Sequence, residues 1–254
     1  MSSALAGSSC VGFACATVKR CLSSWALTTV AAGLGASGCS PVEPYESRPD
    51  KLTPGIFLDR EDAGASAAGR SAAPTRKVHQ KGLDLTKRSE GFVGRLYNDA
   101  ARYCTIGYGH LIKKAPCDGT ESGTFQDGIT EPEGAELLIG DMEVAEWMVA
   151  SSVPVPLTDG QFAGLCDFVY NVGGRNFRKS TLLVAVNARQ HERVPTQLRR
   201  WVIAGGKEWP GLRVRREREI ELYFDGQPPP DPRSIVPRVG EDVSPIDVRE
   251  GELR

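Results

Sequence analysis

Between Ser89 and His110 the chain reads SEGFVGRLYNDAARYCTIGYGH, and three of its side chains could act together on one bond. Glu90, Asp99 and Thr105 are spaced E-x8-D-x5-T. Two carboxyl groups and a hydroxyl suit hydrolysis of a glycosidic bond. That reaction needs a proton for the leaving oxygen and help for a water attacking the anomeric carbon. Glu90 precedes Gly91, a residue suited to a helix stop. At a helix C-terminus the dipole disfavours negative charge, which keeps a donor proton available. Asp99 sits in the turn signal Asn98-Asp99 and is expected to stay ionised in a more open setting, orienting or activating the water. The Thr105 hydroxyl can hold that water from the other side. Singly, each is an ordinary solvated side chain, and the spacing alone is a weak signal that needs further motifs around it.

Positioning these groups requires a short helix, a turn and a strand in succession. Leu83, Leu85 and Phe92 flank a helical segment ending at Glu90. Residues Leu96 to Leu111, rich in Tyr, Thr, Ile and Gly, predict a small antiparallel sheet. Thr130 opens a helix, with Glu133 completing a capping box. Ala135, Leu138, Met142, Ala145 and Val149 follow at helical spacing. Thr158 with Gln161 forms a second box. The helix behind it carries Phe162, Leu165, Cys166, Phe168, Val169 and Val172, apolar on most sides, which predicts a central buried helix. Further helices are expected from about Thr181, over Pro195 to Ala204, and over Leu212 to Phe224. A short sheet followed by a run of helices indicates an α+β fold, not a βαβ repeat.

The 254 residues carry 31 Lys+Arg against 32 Asp+Glu, a net charge of -1. This balance excludes a globally basic nucleic-acid binder. The spread of charge along the chain excludes a polytopic membrane protein. Four segments are expected: an export leader over 1–39, a flexible linker over 40–80, a compact unit over 81–226 and a disordered tail over 227–254. In the leader, Lys19-Arg20 precedes an uncharged run, and ASGC (Ala36 to Cys39) resembles the bacterial lipoprotein cleavage box, which points to lipidation at Cys39. The alternative is a single membrane anchor, since a run of ~18 residues is just long enough to span. The linker and the tail, with its PPPDP, hold too little apolar surface to offset the entropy of ordering.

Seven cysteines are too few and too scattered for a dense disulfide framework. Cys104 and Cys117 flank a strand and the loop after His110, and an exported domain meets oxidising conditions, so a disulfide is expected between them. The rival is a metal site with His110, but the spacing matches no common zinc pattern. Cys166, on the buried helix, is expected to stay a free thiol.

The block from Leu83 to Phe224 resembles the phage-type lysozymes of glycoside hydrolase family 24, the family of the T-even phage enzyme. TIGYGH (Thr105 to His110), GIT (Gly128 to Thr130), FVYNVGG (Phe168 to Gly174) and RW at Arg200-Trp201 carry the resemblance, in the family's order. It implies a lysozyme-like domain with a small antiparallel sheet and a mainly helical lobe. The implied activity is a muramidase that hydrolyses the β-1,4 bond between N-acetylmuramic acid and N-acetylglucosamine in peptidoglycan. No metal and no organic cofactor is implied. Glu90, Asp99 and Thr105 match the family's catalytic set. Leu111, Tyr170, Asn171 and Ser180 match its cleft-lining positions, although Tyr170 is equally readable as a helix packing residue. His110 matches a structural position paired with a carboxylate, here Asp141, and is not expected to act as a base; Trp201 is expected in the core. Inversion at the anomeric carbon is implied as well, which places the two carboxyl groups roughly 6.5–9.5 Å apart.

Peptidoglycan is the expected partner of a monomeric, exported protein at the periplasm or cell surface, touching a membrane only through an N-terminal lipid or anchor. Arg175 to Glu219 holds twelve basic residues and four acidic ones. This is either a solvated helix face or an attraction to an anionic wall polymer. No base-stacking platform accompanies it, so nucleic acid is not expected as a partner. Two alternatives stand beside the muramidase: a hydrolase of another amino-sugar polymer on the same fold, and a catalytically idle wall-binding lipoprotein. The intact Glu90, Asp99 and Thr105 argue against the second.

Overall fold

The computed structural model describes residues 76–99, 101–231 and 242–252. The export leader, Cys39 and nearly all of the linker therefore lie outside the described residues. Helix α1 (Gln80–Glu90) leads into a three-stranded antiparallel sheet, β1 (Val93–Asn98), β2 (Cys104–Gly107) and β3 (His110–Lys113), in the order β1-β2-β3. A single turn of helix, α2 (Gly123–Gln126), precedes the long α3 (Glu131–Ser152). Then come α4 (Asp159–Val172), α5 (Gly174–Lys179), α6 (Thr181–Asn187) and α7 (Val194–Arg199), with one 3-10 turn before α7. A two-stranded hairpin, β4 (Ile203–Ala204) and β5 (Lys207–Glu208), separates α7 from α8 (Pro210–Tyr223). This is the expected α+β arrangement.

Both capping boxes form. The Thr130 hydroxyl accepts from Glu133 N–H while the Glu133 carboxylate accepts from Thr130 N–H; Thr158 and Gln161 do the same at α4. These local bonds satisfy N–H groups that a helix start leaves without partners, which is why both boundaries could be read from four residues.

Two cores result. The sheet lobe closes over Leu96, Cys104, Ile106 and Cys117, with Leu137 of α3 packed against them. The helical lobe surrounds α4, whose residues from Phe162 to Val172 are all buried. Leu138 and Met142 of α3 join that second core, so one helix serves both lobes. Trp201 is fully buried, edge-on to Phe168 at a centroid distance of 5.3 Å.

Three expectations need correction. The compact unit begins earlier than 81: Val78 is buried and its N–H donates to Glu146. The helix expected over Pro195 to Ala204 ends at Arg199. Beyond it, Gly205 and Gly206, with φ of 61° and 74°, turn the β4–β5 hairpin, a backbone region that L side chains rarely adopt. The tail is not disordered throughout. Residues 242–252 pack on the domain, with Ile246 and Val248 in the helical core and Ile203 pairing in parallel with Asp247. Ile246 N–H donates to Arg200 O and Val248 N–H to Ile203 O, so the segment borrows order from the hairpin edge.

Candidate active site

Glu90 is the last residue of α1. Gly91, at φ 67°, returns its N–H to Lys87 O and stops the helix there. A Cβ built on Gly109 would lie 3.7 Å from Glu90 Oε2, so the carboxyl group faces the turn between β2 and β3. The helix end is only half of its surroundings. Arg215 of α8, which is 1% exposed, places Nη1 2.6 Å from Glu90 Oε1, and Glu90 itself is 7% exposed. A cation at that range favours the carboxylate, opposite in sign to the helix-end effect.

Arg215 is itself tightly held. Its Nε donates to Asp167 Oδ2 at 2.9 Å and its Nη2 to Asp167 Oδ1 at 3.0 Å. The Thr86 hydroxyl donates to the same Oδ1 at 2.6 Å. Burial opposes the charge on Asp167, yet the Arg215 charge and hydrogen bonds outweigh it and hold the carboxyl below the usual range. Burial likewise works to discharge Arg215, but the charges of Asp167 and Glu90 outweigh it and hold the guanidinium firmly protonated. On the same helix, burial pushes the Glu219 carboxyl well above its ordinary value despite Arg216 at 2.9 Å.

Asp99 occupies a closed turn, not the open one expected, and is buried. Its backbone N–H donates to Tyr103 O, and its Oδ1 accepts from Ala101 N–H at 2.8 Å and Tyr103 N–H at 2.9 Å. That leaves Oδ2, which lies 3.4 Å from the Thr105 hydroxyl. Burial pushes the Asp99 carboxyl up, and the two N–H donors and Thr105 pull part of the way back. Thr105 Oγ1 is also 3.0 Å from Tyr103 O, so its proton has two acceptors, Asp99 Oδ2 and Tyr103 O, while its lone pairs remain for a water.

The sheet register places other side chains beside this pair. Tyr97, Thr105 and Leu111 are Cα partners across β1, β2 and β3, and cross-strand partners share a face. Leu111 is half-buried next to Thr105, as a cleft-lining residue must be. Tyr97 is half-buried in the same row and was missed in the sequence. Its signal was its place two residues before Asp99 on a strand, where side chains alternate.

The other three expected cleft residues are buried and engaged. The Tyr170 hydroxyl donates to Tyr108 O at 3.4 Å, which favours its packing reading. Asn171 Oδ1 accepts from Arg216 Nη2 at 2.5 Å. The Ser180 hydroxyl donates to Phe177 O and accepts from Leu183 N–H, capping α6. All three side chains are buried in this structure.

His110 Nδ1 lies 2.9 Å from Asp141 Oδ2, tying β3 to α3. Cys104 and Cys117 are joined in a disulfide with a Cα separation of 4.7 Å, and Cys166 is a buried free thiol. With both sulfurs bonded to each other, the rival metal reading with His110 falls away. Of the twelve basic residues between Arg175 and Glu219, Arg200, Arg215 and Arg216 are buried and paired, so that stretch is not one continuous charged face.

A carboxyl group at a helix end, a second carboxylate with a hydroxyl on the neighbouring sheet, and one long helix serving both lobes define a glycoside hydrolase of the lysozyme class. The chain belongs to the phage lysozyme family, whose profile matches residues 87–219. It is 37% identical over 138 residues to the SAR-endolysin of Bacteriophage PS34, covering 54% of this chain and 78% of that protein. To the SAR-endolysin of Enterobacteria phage P21 it is 33% identical over 165 residues, covering 65% and 95%. Among solved structures, the endolysin from Escherichia coli O157:H7 phage FAHEc1 superposes with a TM-score of 0.53 at 28% identity, over 62% of this chain and 99% of that one. The muramidase domain of SpmX from Asticaccaulis excentricus gives 0.52 at 25% identity, over 59% and 98%.

Proposed function

We propose that this protein is a muramidase: it hydrolyses the β-1,4 bond between N-acetylmuramic acid and N-acetylglucosamine in peptidoglycan, with Glu90 as the general acid. Asp99 and Thr105 hold the attacking water. The observation that supports this best is the division of labour on Asp99. Two backbone N–H groups fix Oδ1, which leaves Oδ2 and the neighbouring Thr105 hydroxyl to grip one water. Activating a water, instead of attacking the sugar directly, produces inversion at the anomeric carbon. Endolysins and a muramidase domain among the relatives point to the same substrate.

Glu90→Gln keeps the shape and removes the donated proton. Its folded protein should lose nearly all turnover on purified peptidoglycan and still bind wall fragments. NMR of the fresh product should show the inverted anomer. A rate near wild type for Glu90→Gln would overturn the assignment and leave a wall-binding fold.

Access to the wall requires export, and the reading of Cys39 as a lipidation site supplies a tether for a monomeric enzyme. Mass spectrometry finding an unmodified Cys39 in the mature protein would rule out the lipid.

A further inference from the structure

We propose that Asp167 is a positioning residue that competes with Glu90 for the Arg215 guanidinium, and thereby keeps Glu90 able to hold the proton it donates. The inference rests on the reading of Glu90 as the acid. A general acid beside a fully buried arginine poses a conflict, because the pair stabilises the wrong protonation state. The geometry resolves it. A guanidinium offers a side-on fork, formed by Nε and Nη2, and a separate Nη1. The fork belongs to Asp167, at 2.9 and 3.0 Å, and only Nη1 reaches Glu90. Thr86 fixes Asp167 Oδ1 from α1, the same helix that carries Glu90. The cation is thus shared between two carboxylates, with the bidentate share on the one that does no chemistry.

The other charged and titratable groups facing this cluster fit the same division. From α8 come Arg216 and Glu219, 2.9 Å apart, and burial pushes the Glu219 carboxyl well above its ordinary value. From α4 comes the Tyr170 hydroxyl, from α3 Asp141 and from β1 Tyr97, which interact electrostatically around Tyr170 together with Glu90 and Arg215. Removing the Asp167 charge leaves Glu90, at 2.6 Å, as the nearest carboxyl group to Arg215 among the described residues, with Glu219 Oε1 standing off at 3.6 Å from Nε. It also removes a nearby negative charge. Both effects favour the ionised, catalytically useless form of Glu90.

The test is the pH–rate profile of the purified enzyme on peptidoglycan. Asp167→Asn should move the basic limb down by about one pH unit or more, a roughly tenfold loss of kcat above the limb, with KM unchanged. Asp167→Glu should restore much of the wild-type limb. Because a buried charge left alone can prevent folding, the double variant Asp167→Asn/Arg215→Gln, which removes both charges, is measured as well. Arg215 lies nearer to Glu90 than Asp167 does, so the double variant should shift the limb upward. If the limb stays in place in Asp167→Asn while kcat falls equally at every pH, Asp167 is only structural and the proposal is wrong. A double variant whose limb moves down would also overturn it. Glu90→Gln, run in parallel, isolates the underlying reading: turnover there would refute the acid itself, whatever Asp167 does.

Discussion

Glu252 folds back to Arg200 across 52 residues of sequence: its Oε1 lies 2.5 Å from Arg200 Nη1, and both side chains are buried. The same carboxylate accepts from the Thr181 N–H at 2.6 Å, at the start of α6. Arg200 Nε in turn donates to Ser244 O, and Asn176 Nδ2 donates to Val248 O. The segment 242–252 is therefore an integral part of the catalytic domain, beyond the 87–219 stretch that the family shares. Truncation after Asp231 should destabilise the domain by about 3 kcal/mol or more, because the burial of Ile246 and Val248 is lost together with the hydrogen bonds to Arg200, Thr181 and Asn176. For a domain of this size that is a fall in Tm of roughly 6–12 °C, readable by thermal denaturation. An unchanged Tm would show that the segment is dispensable.

The Cys104–Cys117 bridge joins the start of β2 to the loop after β3, and Cys117 N–H donates to Asn98 Oδ1 beside the Asp99 turn. Closing a loop with a sequence separation of 13 gives at most about 3 kcal/mol in the chain-entropy account. Cys104→Ser/Cys117→Ser should lower stability by up to that amount, a fall in Tm of up to roughly 6–12 °C, and reductant should reproduce the loss in the wild type but not in the variant. Turnover at low temperature should survive, since the bonds to Asp99 Oδ1 come from Ala101 and Tyr103. A variant with wild-type Tm would show that the bridge does not form.

What could be read from the sequence, and what could not, divides by range. Thr130, Thr158 and Gly91 act through partners within four residues, so the boundaries they set were visible. Glu90, Asp99 and Thr105 lie within sixteen consecutive positions, and their spacing was visible too. Arg215 is 125 residues from Glu90, and nothing local marks it among eleven other basic residues of its stretch. Ile246 and Val248 form no periodic pattern by themselves; their order comes from Arg200 and Ile203. Asn171 and Ser180 match cleft-lining positions of the family by their motif neighbours, and their burial rests on hydrogen bonds to Arg216, Phe177 and Leu183 that no local pattern announces.

The His110–Asp141 pair crosses from β3 to α3, with both side chains about a quarter exposed. A charge-assisted hydrogen bond of this kind contributes about 1.5–3 kcal/mol at most, less where water reaches it. His110→Asn should therefore cost roughly 1 kcal/mol in urea denaturation, with turnover retained. A double-mutant cycle with Asp141→Asn should show coupling between the two positions. Loss of turnover in a well-folded His110→Asn would place His110 in the chemistry after all.

Asp99 should show a stability cost that is tied to its function. Burial pushes its carboxyl up, with Tyr103 N–H, Ala101 N–H and the Thr105 hydroxyl compensating only in part. A group with a raised folded value stabilises the fold fully below its unfolded value of ~3.9, and this contribution is lost as pH rises through the folded value. At neutral pH the wild type therefore carries an incompletely compensated buried charge. Asp99→Asn keeps an Oδ1 for the two N–H donors and presents its Nδ2 toward Thr105 Oγ1, whose own proton has Tyr103 O. The variant should gain stability relative to wild type at pH 7, and the gain should vanish near pH 3, where both side chains are neutral. Turnover should fall by at least about 10²-fold, because the water loses its base. Urea denaturation at the two pH values, alongside a wall-clearing assay, reads both effects. An Asp99→Asn variant destabilised equally at pH 3 and pH 7 would show that Asp99 is held by its hydrogen bonds without a charge penalty.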